Sequence, residues 1–224
     1  IIEFQDNITI TQNLYEACRF RGIKNIVFAS SISVYSVDNA LPWNEEEIPK
    51  PRNVYGISKL TSELIGEIYN REYNMNIKNL RFAHLFGCNE PNDYMINKFM
   101  RQAFNKEKLV LYSKDNVKRE FLYNKDAAFA VLCAIKKEDI KGSFNIGSGE
   151  KKTNFEIAEI INKTFNNIGN LEVLNRKEPP KHPSYMSSDK AMKILDYSPK
   201  YSIEDAFVDI YKEMKANTIK QKKK

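Results

Sequence analysis

The chain has 224 residues, 42% hydrophobic and 29% charged, with 8 Gly, 8 Pro and no apolar run long enough to cross a bilayer, which excludes membrane-spanning, collagen-like and disordered classes. Its net charge of +6 is concentrated in Lys215, Lys220, Lys222, Lys223 and Lys224, with no acid among the last ten residues; this predicts a solvated, disordered basic tail at 216–224 and argues against a nucleic-acid partner. Cys18, Cys88 and Cys133 are too few and too scattered for a disulfide framework or a zinc site, so no metal is expected and a reducing compartment suits the chain.

The chain opens Ile1-Ile2-Glu3, with neither an initiator Met nor a charged-then-apolar leader, so it is expected to be cytoplasmic and a piece of something longer. From Asn7 to Arg21 the pattern predicts an amphipathic helix with Ile10, Leu14, Ala17 and Cys18 on one stripe, ended by Gly22. Asn25-Ile-Val-Phe-Ala29 is a continuous β-favouring run that stops at Ser30-Ser31, as a strand buried on both faces of a parallel sheet does. A loop from Ser36 to Asn53, with Pro42, Pro49 and Pro51, leads into a long helix predicted from Val54 to about Tyr73, and a second strand follows at 77–82. This order predicts a right-handed crossover in an open parallel sheet, with Ser30, Ser31 and His84 at the strand ends where ligands collect. Further helices are expected at 95–104, 126–135, 155–164, 187–195 and 203–214, and strands at 109–112, 121–123 and 143–146; the last third reads as a smaller α+β lobe.

Tyr55-Gly-Ile-Ser-Lys59 places a phenol and an ammonium four apart, on one helix face, where the cation stabilises phenolate and suits the tyrosine to proton transfer. With 12 tyrosines and 35 basic residues, chance gives about two such pairs, and the spacing recurs at Tyr94/Lys98 and Tyr211/Lys215. Tyr55 differs in context: only its helix follows, after one loop, a buried strand ending in serines.

Phe28-Ala-Ser-Ser-Ile-Ser-Val-Tyr35, with Tyr55-Gly-Ile-Ser-Lys59 starting 24 residues after Ser31, resembles the extended short-chain dehydrogenase/reductase superfamily, and within it the NAD-dependent epimerase/dehydratases that act on nucleotide sugars. Asp6-Asn7, Thr11-Gln-Asn-Leu14, Leu80-Arg-Phe82, Phe86-Gly87, Arg119-Glu-Phe-Leu-Tyr123 with Asp126, Phe144-Asn-Ile-Gly-Ser-Gly149 and Ser188-Asp-Lys190 to Leu195 keep the family order. The resemblance implies an α/β fold, the C-terminal part of an NAD-binding Rossmann sheet with a smaller α+β substrate-binding lobe. Its parts would be 1–90 for the Ser/Tyr/Lys half, 91–215 for the region completing the sheet and forming the substrate lobe, and 216–224 for the tail. It also implies a nucleotide-sugar substrate, NAD with NADP as the alternative, no membrane or nucleic-acid partner, and a homodimer at full length. Residue by residue, it makes Tyr55 the general acid/base, Lys59 its tuner and ligand of the nicotinamide ribose, and Ser31 the hydroxyl that orients the sugar. It further places Asn7 and Ala83 beside the cofactor, and Arg119 and Arg176 on the substrate diphosphate.

Two departures stand out. His84 occupies the family's usual Asn position, so it either contacts substrate or packs beneath the site. The eight glycines contain no G-x-x-G-x-x-G, so the phosphate-cradling turn is expected to lie in a missing amino-terminal part, and the chain alone is expected to aggregate, not to bind NAD and not to turn over. Ser31-Ile-Ser33 lacks the acidic pair of 4,6-dehydratases, which favours a UDP-glucose 4-epimerase-like reaction. A reductase or dehydratase of the same family and an inactive binding remnant are the alternatives.

Overall fold

The computed structural model describes residues 2–90, 94–176 and 181–221, the side chains of residues 3, 220 and 221 excepted. In chain order its elements are α1 (Ile2–Phe20), β1 (Asn25–Ser31), a 3-10 turn (Ile32–Val34), α2 (Val54–Glu72), β2 (Asn76–Phe82), β3 (His84–Phe86), α3 (Met95–Phe104), β4 (Leu109–Leu111) and β5 (Arg119–Tyr123). There follow α4 (Asn124–Lys136), β6 (Gly142–Ile146), β7 (Lys151–Lys152), α5 (Asn154–Thr164), β8 (Leu171–Val173), α6 (Asp189–Leu195) and α7 (Ile203–Gln221).

The parallel α/β architecture expected from the sequence is the one found. β1, β2 and β6 form a parallel sheet in that order, with Ser31 beside Phe82 and Phe82 beside Ile146. β3 and β5 pair in parallel, β7 joins β5 antiparallel, and β4 pairs with β8. One apolar core, with Leu80, Phe144 and Ile146, lies between the first sheet and α4 and α6; a second, with Phe86, Leu109, Ile157 and Phe207, joins α3, α5 and α7 to β4 and β5. Each such fully buried side chain contributes roughly 1.5–3 kcal/mol. Among the described residues no helix is long and apolar enough to cross a membrane.

The structure corrects four expectations. In α1, Ile10 and Leu14 are 66% and 53% exposed, and the buried face is Thr11 and Tyr15. Thr11 tolerates burial because its hydroxyl donates to Asn7 O at 2.7 Å and lies 3.2 Å from Ser62 Oγ on α2. β1 is only half-buried from Asn25 to Phe28, since among the described residues β2 is its one strand partner. β3, β7 and β8 lie in segments where no strand was predicted. α7 runs on to Gln221, so 216–221 of the expected disordered tail is helical; residues 222–224 lie outside the described residues.

Candidate active site

β1 and β2 end side by side, and the start of α2, β3 and β5 close round those ends to form a cleft of about 750 Å³. Ser31 lines it. The Ser31 side chain caps the following turn, accepting the Ser33 N–H at 3.1 Å, which fixes the oxygen and leaves the hydroxyl proton to donate. α2 starts directly against this turn: Asn53 accepts the Gly56 N–H at 2.7 Å, and a Cβ on Gly56 would lie 2.1 Å from Ser33 O. Only glycine allows so close an approach.

That contact brings Tyr55 and Lys59 to the cleft beside Ser31. The Tyr55 side chain is about half exposed, open to a ligand. Lys59 is half-buried; its Nζ donates to Ala29 O at 2.9 Å and stands 5.7 Å from the Tyr55 ring centroid and 5.0 Å from that of Phe28. Burial pushes the Lys59 ammonium below its ordinary pKa. The arrangement supplies a phenol for proton exchange, a fixed cation beside it and a hydroxyl in the same cleft.

Beneath Ser31 lies an ionic network that spacing alone did not reveal. Glu63, one turn after Lys59, is buried and takes Arg81 Nη2 at 2.6 Å and Nε at 3.0 Å. The Ser30 hydroxyl also donates to Glu63, and Arg81 Nη1 donates to Tyr35 Oη at 2.6 Å, whose own proton reaches Asn145 Oδ1 at 3.0 Å. The network ties the ends of β1, β2 and β6 to α2. Its one sequence signal is Arg81 itself, a charge within an otherwise apolar strand end, which requires a buried partner.

The other predicted residues divide. Asn7 does not line the cleft; its Nδ2 donates to Ser58 Oγ at 3.4 Å, between Tyr55 and Lys59. Ala83 lines the cleft, its N–H donating to Ile146 O at 3.0 Å. His84 also lines it, exposed at the surface with Nε2 3.1 Å from Ser184 Oγ; the protein crowded round its ring, and then the Arg119 charge, lower its pKa from the ordinary histidine value. Arg119 faces the cleft from β5. The next residue, Glu120, is buried and accepts the N–H groups of Gly149 at 2.8 Å and Met186 at 2.9 Å, anchoring the segment that carries Ser184. Arg176 is not brought to the cleft: its guanidinium lies 5.5 Å from the Tyr112 ring centroid and its N–H donates to Tyr112 O at 2.7 Å. Among the described residues no group of three His, Cys, Asp or Glu side chains is placed to hold a metal.

The profile of the NAD dependent epimerase/dehydratase family matches residues 2–147. The crystal structure of UDP-N-acetylglucosamine 4-epimerase from Bacillus cereus superposes with a TM-score of 0.88 at 52% identity, over 94% of this chain and 71% of that one. UDP-glucuronic acid 4-epimerase from Bacillus cereus, in complex with UDP-glucuronic acid and NAD, superposes with a TM-score of 0.78 at 26% identity, over 93% of this chain and 68% of that one. UDP-glucuronate 4-epimerase of Thermodesulfobacterium geofontis is 26% identical over 89% of this chain and 62% of its own length. The chain spans less than two thirds of the length of several curated relatives.

Proposed function

Because the chain belongs to the NAD dependent epimerase/dehydratase family, we propose that it supplies the catalytic and substrate-binding part of an NAD-dependent 4-epimerase acting on a UDP-sugar. The observation that carries this reading is the meeting of Ser31, Tyr55 and Lys59 in one cleft at the carboxyl ends of parallel strands. The choice of UDP-sugar follows the 52% identical relative, itself a UDP-N-acetylglucosamine 4-epimerase.

The residues present fit the nicotinamide-ribose half of the cofactor. Lys59 and Tyr55 offer an ammonium and a phenol to ribose hydroxyls, and the Ala83 backbone forms the adjoining wall. Asn7 steadies Ser58 behind them. A G-x-x-G-x-x-G turn is not among these 224 residues, so the fit extends to that half alone. When bound, the dinucleotide supplies reversible oxidation of the sugar C4 carbinol, with NADP the alternative carrier.

The chain's own residues handle the proton and the pose. The Tyr55 oxygen, as phenolate, takes the C4 hydroxyl proton and, as phenol, returns it, while Lys59 offsets the negative charge which that oxygen carries before the proton arrives and after it leaves. Ser31 holds the C4 oxygen by hydrogen bond, and Arg119 meets the diphosphate. Dehydration needs an acid to protonate a departing hydroxyl. Here Glu63 is committed to Arg81, and Glu90, on the cleft wall, accepts from Asn97 Nδ2 at 2.7 Å. Exposed Ile10 and Leu14 on α1, with Ile57, Leu64 and Ile68 on α2, support a homodimer as part of the proposal, and the three free cysteines support a cytoplasmic setting.

The test is to incubate the gene product that contains this chain with NAD and a panel of UDP-, dTDP- and GDP-sugars and to identify products by proton NMR. The reading expects the C4 epimer of a UDP-sugar. A 4-keto-6-deoxy product from dTDP-glucose would contradict it.

A further inference from the structure

The space beside Tyr55 and Lys59 continues past Arg119. Met95 and Asn154 line both the cleft and a second cavity of about 520 Å³, walled by Phe99, Val110 and Tyr112 with Lys181 at its side. A ligand occupying both spaces crosses this common wall. Arg119 belongs to the first space and Lys181 to the second, and one carboxylate, Asp115, stands between them. Lys181 Nζ is 3.3 Å from Asp115 Oδ2, and Arg119 Nη1 is 4.0 Å from Asp115 Oδ1.

The trio is electrostatically paired, and Asp115 Oδ1 also accepts the Val117 N–H at 3.1 Å. Arg119 Nη1 and Asp115 Oδ2 are both buried without a hydrogen-bond partner. A guanidinium N–H withdrawn from water without an acceptor is costly, and an arriving phosphate oxygen removes that cost. The same arrival opposes the Asp115 charge, because two anions then compete for the same two cations.

We propose that Lys181 is a second cation for the substrate diphosphate, and that Asp115 is a stand-in anion that holds Arg119 and Lys181 on either side of the crossing until the diphosphate displaces it. This rests on the nucleotide-sugar reading above and extends it to two residues outside the Ser/Tyr/Lys group. Asp115 therefore lowers affinity while Lys181 raises it. The two substitutions act in opposite directions, and a tightening cannot arise from misfolding.

Calorimetric titration of the purified gene product that contains this chain with UDP, and with uridine as the uncharged probe, tests this. Asp115→Asn should tighten UDP about three- to tenfold, and Lys181→Met should weaken it about tenfold, with uridine unchanged by either and Lys181→Arg restoring most of the UDP affinity. Raising the salt should shrink both shifts. Weaker or unchanged UDP binding in Asp115→Asn, or equal loss of UDP and uridine in Lys181→Met, overturns the inference while leaving the proposed function standing. Failure of the unsubstituted protein to bind UDP overturns both.

Discussion

Two helices of this protein carry at their start a tyrosine spaced four residues before a lysine, and they meet different fates. At α2, Asn53 caps the first turn, Gly56 lies against Ser33, Lys59 is tied to Ala29 and Glu63 to Ser30. At α3, Tyr94 is the N-cap without a side-chain cap bond and is 74% exposed, while Lys98 lines the second cavity and not the cleft that Tyr94 faces. Equal spacing thus gives a shared site only where the helix is fastened to the strand ends. The fastening, more than the tyrosine, is what distinguishes the first helix.

Breaking the fastening should have the largest effect. Arg81→Met leaves the Glu63 carboxylate buried and unpaired, and urea unfolding should show a loss of about 3–5 kcal/mol; adding Glu63→Leu should recover much of it. Removing the cation alone comes next: Lys59→Met should lower kcat by about 10²-fold with little change in KM, whereas Lys98→Met should leave kcat within about threefold. Gly56→Ala is gentler. It moves α2 off Ser33 O, and kcat should fall about tenfold while UDP affinity, set elsewhere in the groove, is kept.

The smallest effect concerns His84. Its folded pKa lies below the unfolded value of about 6.5, so between those two values the unfolded chain binds more protons and stability falls as pH falls. Melting temperature should therefore drop less between pH 7 and pH 5 in His84→Asn than in the unsubstituted protein. A steeper drop in the variant would contradict the assignment of His84 as a neutral ring held against Ser184.

Much of this architecture was legible because it is local. The run Asn25 to Ser31, the Pro-punctuated loop and the α3 boundaries at Met95 and Phe104 follow from composition and period within short windows. The buried face of α1 is not legible in its period, because Thr11 and Tyr15 are polar in pattern yet buried through bonds and packing to α2 that the helix's own sequence does not encode. β3, β7 and β8 are two or three residues long and exist through pairing with distant strands, so no alternation announces them. Within the site, Ser31, Tyr55 and Lys59 could be found from spacing and context. The Glu63–Arg81 and Asp115–Lys181 pairs could not, since their partners are far apart in the chain and neither spacing carries a signal. Arg176, placed on the diphosphate by the resemblance, stands beside Tyr112 and does not line the cleft.

Tyr55, brought into one cleft with Ser31 by the fastened start of α2, is the residue proposed to move the proton. Tyr55→Phe and Tyr94→Phe remove the same hydroxyl from two tyrosines on the wall of one cleft. Turnover of a UDP-sugar, measured side by side in the gene product containing this chain, should fall by about 10² or more in Tyr55→Phe and by less than about threefold in Tyr94→Phe, with both variants melting as the parent does. Equal losses in the two variants would contradict the account.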